Sequence, residues 1–325
     1  MARPLLSDLK VALLMGGDSD EREISLLSGR EVKKALAGRC RRLTVFDPKK
    51  DLVRLTKAAV HGDFDVAFLA LHGPGGEDGK IQGLLDLAGL PYTGSSTAAC
   101  ALAMDKAMSK RVFHQQEIPT PRWCVVTEEA FHGLPWKQLE KRILHRVGKK
   151  IVVKPLSSGS SVGVMVLPKR GEWKTAVKQA LRYGQQCLVE AFVEGREFTV
   201  AVLEREGKAE TLPVIEIRTK RAFFDYKAKY TAGASEEICP APLSPKQSRQ
   251  AQALGLAAHK ALVCRQYSRT DMMLGKTGWR VLETNVLPGL TAGSLFPKAS
   301  VTAGIPFAKL IEHLVLDAYR YGHRT

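Results

Sequence analysis

The 325-residue chain has no apolar run approaching the roughly 20 residues that a bilayer-spanning helix needs, so no membrane-embedded segment is expected. It has no C-x-x-C pair either. Cys40, Cys100, Cys124, Cys187, Cys239 and Cys264 lie far apart and form no His-linked cluster. That spacing argues against a disulfide framework or a zinc site and fits a reducing cytosol. A secretory h-region is lacking as well, because Asp8 and Lys10 interrupt the N-terminus and the apolar run 11–15 leads straight into Gly16, Gly17 and acids. There is no internal repeat and no low-complexity tract. Acids are the scarcer charge: 33 Asp and Glu against 49 Lys and Arg give a formal net charge of +16. Such an excess attracts polyanions, nucleic acid among them. The basic residues are scattered, however, with short runs only at 39–42 and 149–150, which reads as a basic solvated surface and no specific nucleic-acid partner.

What the chain does have is 45% hydrophobic residues and more length than a single core usually serves, so two or three packed units are expected. The opening reads strand (11–15), glycine turn, then helix, with Ile24, Leu27, Val32 and Leu36 recurring at about helical spacing. Strands at 43–46 and 66–71 follow. Strands alternating with helices imply a parallel sheet, with ligands at the carboxyl ends of its strands. The Ala/Met/Leu-rich stretch 97–116 reads as one helix stopped by Pro119 and Pro121. Further strands are expected at 124–127, 151–154, 162–167, 188–190, 198–203 and 212–217, with a helix near 173–183. Then come a long irregular stretch over 218–245, a helix over 247–263 and strands around 270–274 and 279–283. An irregular stretch of that length inside a compact protein is usually a functional lid or an insert.

Two segments carry chemistry. Lys154 stands at a strand end before a loop of small residues, Ser157 to Gly163, whose backbone N–H groups can approach phosphate oxygens closely. The lysine precedes the glycines, so this is not a P-loop, and a Gly/Ser loop alone is more often a plain hairpin. Asp271, Glu283 and Asn285 are hard oxygen ligands on two adjacent predicted strands. Alternation puts Glu283 and Asn285 on one face, so all three can converge on magnesium at nucleotide phosphates; solvated carboxylates on a hairpin are the plain alternative.

Both segments resemble those of the ATP-grasp enzymes, specifically the D-alanine–D-alanine ligases, and the likeness runs nearly end to end. It includes GGDSDEREISLLSG (16–29), ALHGPGGEDGKIQGLLDLAGLPYTGS (70–95), ALAMDKAMSK (101–110), VVKPLSSGSSVGV (152–164), LVEAFVEGREFTV (188–200), FFDYKAKY (223–230), EEICPAPL (236–243), RTDMML (269–274) and LETNVLPGLTAGSLFP (282–297). The resemblance implies an α/β, three-domain ATP-grasp fold. Its N-terminal parallel-sheet domain would cover 1–94, a central subdomain 95–189, and a C-terminal subdomain 190–325 with a lid over 218–245. The implied activity is ATP-dependent joining of two D-alanines through an acyl phosphate, for peptidoglycan precursor synthesis, in a cytoplasmic homodimer.

Residue by residue, the resemblance assigns Lys106, Lys154 and Lys229 to the ATP phosphates, Glu190 to the adenine-side hinge and Glu197 to the ribose. Asp271, Glu283 and Asn285 would hold two Mg2+ (or Mn2+) ions. Glu21 would pair with the ammonium of the first D-alanine, with Ser160 and Tyr230 linking it to the lid. Arg269 and the backbone N–H of Gly289 would stabilise the oxyanion, Ser294 and Leu295 would receive the second D-alanine's carboxylate, and His72 would line the cleft. Two departures are visible: Lys227 stands where many relatives have an acid, and Ser158 where some carry Glu. A D-alanine–D-lactate or D-alanine–D-serine ligase is the rival within the family. A nucleotide- or nucleic-acid-binding relic is the rival outside it, although a relic need not keep Asp271, Glu283, Asn285 and Arg269 together.

Overall fold

The computed structural model describes residues 4–157, 163–167, 169–219 and 235–322. Its first unit is the expected parallel sheet. Strand β1 (Lys10–Leu14) lies between β2 (Arg42–Phe46) and β3 (Val66–Leu69), in the order β2-β1-β3. Helix α1 (Arg22–Leu36) buries Ile24, Ser28, Val32 and Leu36, four residues apart and therefore on one face. Gly29 on that face lets the helix approach β1 closely, since a Cβ there would lie 2.5 Å from the Met15 side chain. Helix α2 (Pro48–Val60) starts from Asp47, whose side chain accepts the Lys49 N–H, with proline just inside the start. Helix α3 (Lys80–Leu87) follows the loop that leaves β3.

The expected single helix over 97–116 is two helices, α4 (Thr97–Met104) and α5 (Lys106–Gln115). Asp105 divides them: it is extended, and its carboxylate accepts the N–H groups of Ala107 and Met108, both at 2.9 Å. An aspartate that can bond the backbone this way favours a cap over a helix interior. Lys106 thereby becomes the first residue of a new helix.

The second sheet is antiparallel, in the order β4-β7-β5-β6: β4 (Trp123–Thr127), β5 (Ile151–Pro155), β6 (Met165–Leu167) and β7 (Gln186–Ala191). Helices α6 (Glu128–Gly133), α7 (Trp136–Arg146) and α8 (Trp173–Ala180) accompany it, and Trp173, Leu139 and Ile143 fill its core with Val153 and Val189.

The third sheet is built on β8 (Gly195–Arg205), an eleven-residue strand whose interior is fully buried. A turn at Glu206-Gly207 returns it as β9 (Lys208–Thr211), a hairpin absent from the expected pattern. Strand β10 (Ile215–Thr219) starts three residues later than expected, and β11 (Ser235–Ile238) pairs with it. Of the stretch expected to be irregular, residues 218–219 therefore end β10 and residues 235–238 form β11. After α9 (Pro245–Ala261), capped by Ser244 and Gln247, come β12 (Tyr267–Gly275) and β13 (Gly278–Asn285). The sheet order is β11-β10-β8-β12-β13, with β9 on β8.

Two packing arrangements cross the sheet boundaries. Cys100, Ala103 and Phe113 of α4 and α5 share a core with Ala258 and Leu262 of α9 and Val281 of β13. After α10 (Leu295–Thr302), the closing helix α11 (Phe307–Gly322) returns to the first sheet, burying Leu310, Ile311, Leu314, Val315 and Ala318 in the core of β1 and β3. Among the described residues no single helix is long and apolar enough to cross a membrane.

One glycine tests the third sheet. Gly195 faces Gly275 across β8 and β12, and a Cβ on Gly195 would lie 2.2 Å from the Leu274 carbonyl oxygen, which is backbone. Gly195→Ala is expected to destabilise the protein by about 1–3 kcal/mol. An unchanged urea midpoint would show that the strands can separate there at no cost.

Candidate active site

The sheets place a lysine-rich cluster against an acidic one. On β5 and β7, Val152 faces Glu190 and Lys154 faces Leu188, so Lys154 and Glu190 are diagonal neighbours on one face. Lys154 Nζ lies 2.7 Å from Glu190 Oε1, and the other oxygen of Glu190 lies 2.8 Å from Lys110 Nζ. Burial alone would push the Glu190 carboxyl up, but the two ammonium groups outweigh it and hold it below the usual carboxylate range. Burial pulls Lys154 down while Glu190 and then Glu283 outweigh it, so Lys154 is raised; for Lys110 burial wins and the shift is downward. Lys106 is buried at the start of α5, with Nζ 3.6 Å from Glu283 Oε2. Glu197 stands on β8 opposite Met273.

The acidic cluster comes from register. Across β12 and β13, Asp271 pairs with Glu283 and Arg269 with Asn285, so these four side chains share one face. Arg269 grips Asp271 through two bonds of 2.8 Å, Nε to Oδ1 and Nη2 to Oδ2. Thr199, opposite Asp271 on β8, donates to Oδ1 at 2.6 Å. Asn285 donates from Nδ2 to Asp271 Oδ2 at 3.1 Å, leaving Oδ1 as its remaining ligand atom. A cavity of ≈ 30 Å³ lies beside this face, with Glu77, Lys106, Glu283 and Asn285 in its lining. Among the described residues no three His, Cys, Asp or Glu side chains group as a metal site. The set offers instead two carboxylates and an amide, all hard oxygen donors on one face, which suits magnesium or manganese with solvent and phosphate completing the shell.

The other end of the cleft is formed by the loops leaving β1 and β3. Glu21 immediately precedes α1 and is buried. Its position is set by stitching: Ser25 Oγ accepts the Gly16 N–H and donates to the Ala70 carbonyl, while Asp47 accepts the Gly17 N–H and pairs with Arg22. Gly73, at φ +72, sits where a Cβ would lie 2.7 Å from Glu21 Oε2. Its N–H donates to Glu77 Oε2 at 2.7 Å, and burial together with the charge of Glu21 pushes the Glu77 carboxyl up to about 8. His72, in the loop leaving β3, is buried. Nε2 is 2.9 Å from Ser28 Oγ and the ring also bonds the Leu287 backbone, so the histidine ties α1 to the chain after β13.

Burial is the main cause that lowers His72 to about 4. A histidine depressed in the folded state is protonated first in the unfolded chain, so its contribution is complete above the unfolded value of about 6.5 and is lost as pH falls from there to about 4. The difference in unfolding free energy between wild type and His72→Gln is therefore expected to shrink on acidification across that window, by about 3 kcal/mol at most. A pH-independent difference would mean that His72 is not held neutral.

Gly289 is needed for space, since a Cβ would lie 2.8 Å from Ser294 Oγ. Ser294 is the residue before α10, and its Oγ accepts the Thr291 N–H at 3.1 Å and lies 2.8 Å from Thr291 Oγ1, so the N-terminus of α10 is not closed by its own cap. Leu295 is the first residue of α10 and is buried. Helix N-termini of this kind accept carboxylates. Ser160, Lys229 and Tyr230, with the departures at Ser158 and Lys227, lie outside the described residues. Residues absent from the sequence-level set are Glu77, Lys110 and Thr199. Glu77 lies within the quoted HGPGGEDG string and Lys110 is one helical turn after Lys106, signals that only a three-dimensional neighbourhood turns into roles.

The chain matches the family model described as D-ala D-ala ligase C-terminus over residues 112–316, and the corresponding N-terminus model over residues 42–95. It is 44% identical over 309 residues to the D-alanine–D-alanine ligase of Syntrophobacter fumaroxidans, covering 94% of this chain and 96% of that protein. The fold superimposes on the crystal structure of D-alanine–D-alanine ligase from Bacillus anthracis with a TM-score of 0.83 at 33% identity, over 97% of this chain and 99% of that one. The same enzyme complexed with ATP gives 0.81 at 30% identity, over 97% and 99% of the two chains.

Proposed function

Because the chain belongs to the D-alanine–D-alanine ligase family, we propose that this cleft is where it uses ATP to join two D-alanines for peptidoglycan precursor synthesis. The observation that carries the site reading is the shared face of Arg269, Asp271, Glu283 and Asn285, set beside Lys106 and Lys154. Glu21 holds the ammonium of the first D-alanine. The carboxylate of that D-alanine attacks the γ-phosphorus, the bond to the β-phosphate oxygen breaks, and ADP leaves. Two anions meet in that step, and Lys106 and Lys154, with Lys229, neutralise their charge. Asp271, Glu283 and Asn285 would hold magnesium or manganese, which when bound would supply Lewis-acid neutralisation of phosphate charge.

The second D-alanine docks its carboxylate at Ser294 and Leu295, on the N-terminus of α10. Its amine, once deprotonated, attacks the acyl carbon; Arg269 and the Gly289 N–H hold the oxyanion, and phosphate departs. The segment between β10 and β11 serves as the lid that keeps water from the acyl phosphate, a role to which the family likeness adds Tyr230 and Ser160 as its links to Glu21. His72 orients these loops through Ser28 and the Leu287 backbone. Glu190 and Glu197 take the adenine and ribose sides of ATP. The same family reading extends to a cytoplasmic homodimer.

The test is phosphate release and product analysis with ATP, magnesium and D-alanine, in parallel with D-lactate or D-serine as second substrate. D-alanyl-D-alanine should be the main product and turnover should stop without a divalent cation. Absence of dipeptide, or a preference for D-lactate or D-serine, overturns the reading; metal-independent turnover overturns the metal site alone.

A further inference from the structure

Lys110 has no role in the reaction as derived, yet it is the most completely buried lysine of the cleft wall, with 0% side-chain exposure. Burying an ammonium costs several kcal/mol unless it is paired, and Lys110 is paired to one target. Its Nζ holds Glu190 Oε2 at 2.8 Å, while Lys154 holds the opposite oxygen at 2.7 Å. A third bond, to Thr120 Oγ1 at 2.7 Å, anchors it to the third sheet, because Thr120 donates on to the Val281 carbonyl of β13. Lys110 thus joins the wall that carries Lys154 to the strand that carries Glu283.

The charge count shows what this does. Lys154 and Glu190 alone make a buried neutral pair, in which the carboxylate cancels the ammonium and offers little to a polyphosphate. Two ammonium groups sharing one carboxylate leave the cluster at +1. They also stand at ion-pair distance from opposite carboxylate oxygens, so Glu190 is held from two sides and Lys154 by one oxygen only.

We infer that Lys110 is a positioning residue for the nucleotide phosphates: without touching ATP, it holds Glu190 so that Lys154 stays aimed and the cluster stays net positive. This rests on the reading of Lys154 as a phosphate ligand. A merely structural lysine would affect stability and leave substrate constants alone, whereas a positioning lysine splits them.

Steady-state constants for ATP and D-alanine, with thermal midpoints, should be measured for Lys110→Met, Lys154→Met, Glu190→Gln and the double variant Lys110→Met/Glu190→Gln. Lys110→Met should raise the KM for ATP about tenfold or more, as loss of a nearby partly screened charge does, with the KM for D-alanine within about twofold. In the Glu190→Gln background, which leaves no unpaired carboxylate and so keeps the test alive if the single variant does not fold, Lys110→Met should add less than about twofold. An unchanged KM for ATP in Lys110→Met, or a full additional effect in the double variant, overturns the inference. If Lys154→Met itself leaves the KM for ATP unchanged, the phosphate-ligand reading beneath it is the one that fails.

Discussion

Asp271→Asn and Glu283→Ala are each expected to reduce the turnover of the folded protein by about a thousandfold or more. The expectation follows from what the strand register brings together. Asp271 and Glu283 face one another across β12 and β13, beside Lys106. They are two carboxylates placed to balance a divalent cation at the phosphates, and losing one removes several kcal/mol of transition-state stabilisation. The two substitutions are chosen for different reasons. Asparagine at 271 removes the charge at nearly the same size and keeps one carbonyl oxygen for Arg269 Nε and Thr199, at 2.8 and 2.6 Å, while its amide nitrogen replaces the oxygen that accepts from Arg269 Nη2 and Asn285. Alanine at 283 removes the carboxylate that lies 3.6 Å from Lys106 Nζ. Turnover at saturating ATP and magnesium, with circular dichroism and thermal midpoints as controls, decides the matter. Near-normal activity in either folded variant would remove that residue from the metal site.

The same residues show which parts of this protein are legible without coordinates. Alternation along a strand puts Glu283 and Asn285 on one face, a local fact with which the observed pairs agree. Asp271 is different: counted back from the Gly-Lys-Thr-Gly turn it would face Leu282, and a register shift between Asp271 and Met272 brings it opposite Glu283 instead. The parallel first sheet was legible for a similar reason, since buried strands ending in glycine turns repeat at the spacing of strand-helix units. The unread features depend on choices that spacing cannot make. Asp105 sits in a helix-rich stretch and looks like an exposed helical residue until it caps α5. The Glu206-Gly207 turn joins two runs that read as one strand and a loop. Glu77 and Lys110 are charged residues in polar-looking segments, and only packing buries one against Gly73 and the other against Glu190. His72 stands in the loop after β3, and the bonds by which it ties α1 to the chain after β13 are contacts that spacing does not announce. A sequence reveals which side chains are capable of chemistry; tertiary contact decides which of them meet.

Arg269→Met is expected to separate two roles that the structure gives one side chain. Arg269 is the counter-ion of Asp271, bonded to both carboxylate oxygens, with side-chain exposures of 14% and 9%. Removing one partner of a buried pair leaves the other charge uncompensated, at about 3–5 kcal/mol. Methionine preserves the bulk, so this loss is electrostatic more than steric. A divalent cation at Asp271 would restore positive charge beside the carboxylate, and the destabilisation should therefore shrink when magnesium and ATP are added. The chemical role should show no such recovery. An arginine aimed at a developing oxyanion is worth roughly a hundred- to a thousandfold in turnover, and a cation held elsewhere on the same face cannot reproduce its donor geometry. Thermal midpoints with and without magnesium and ATP, set beside turnover at saturation, read the two effects independently. A midpoint gap that stays constant on adding both ligands would argue against cation binding at Asp271. Near-normal turnover would remove Arg269 from the oxyanion site and leave the Gly289 N–H, beside Ser294 at the start of α10, as the described donor for that charge.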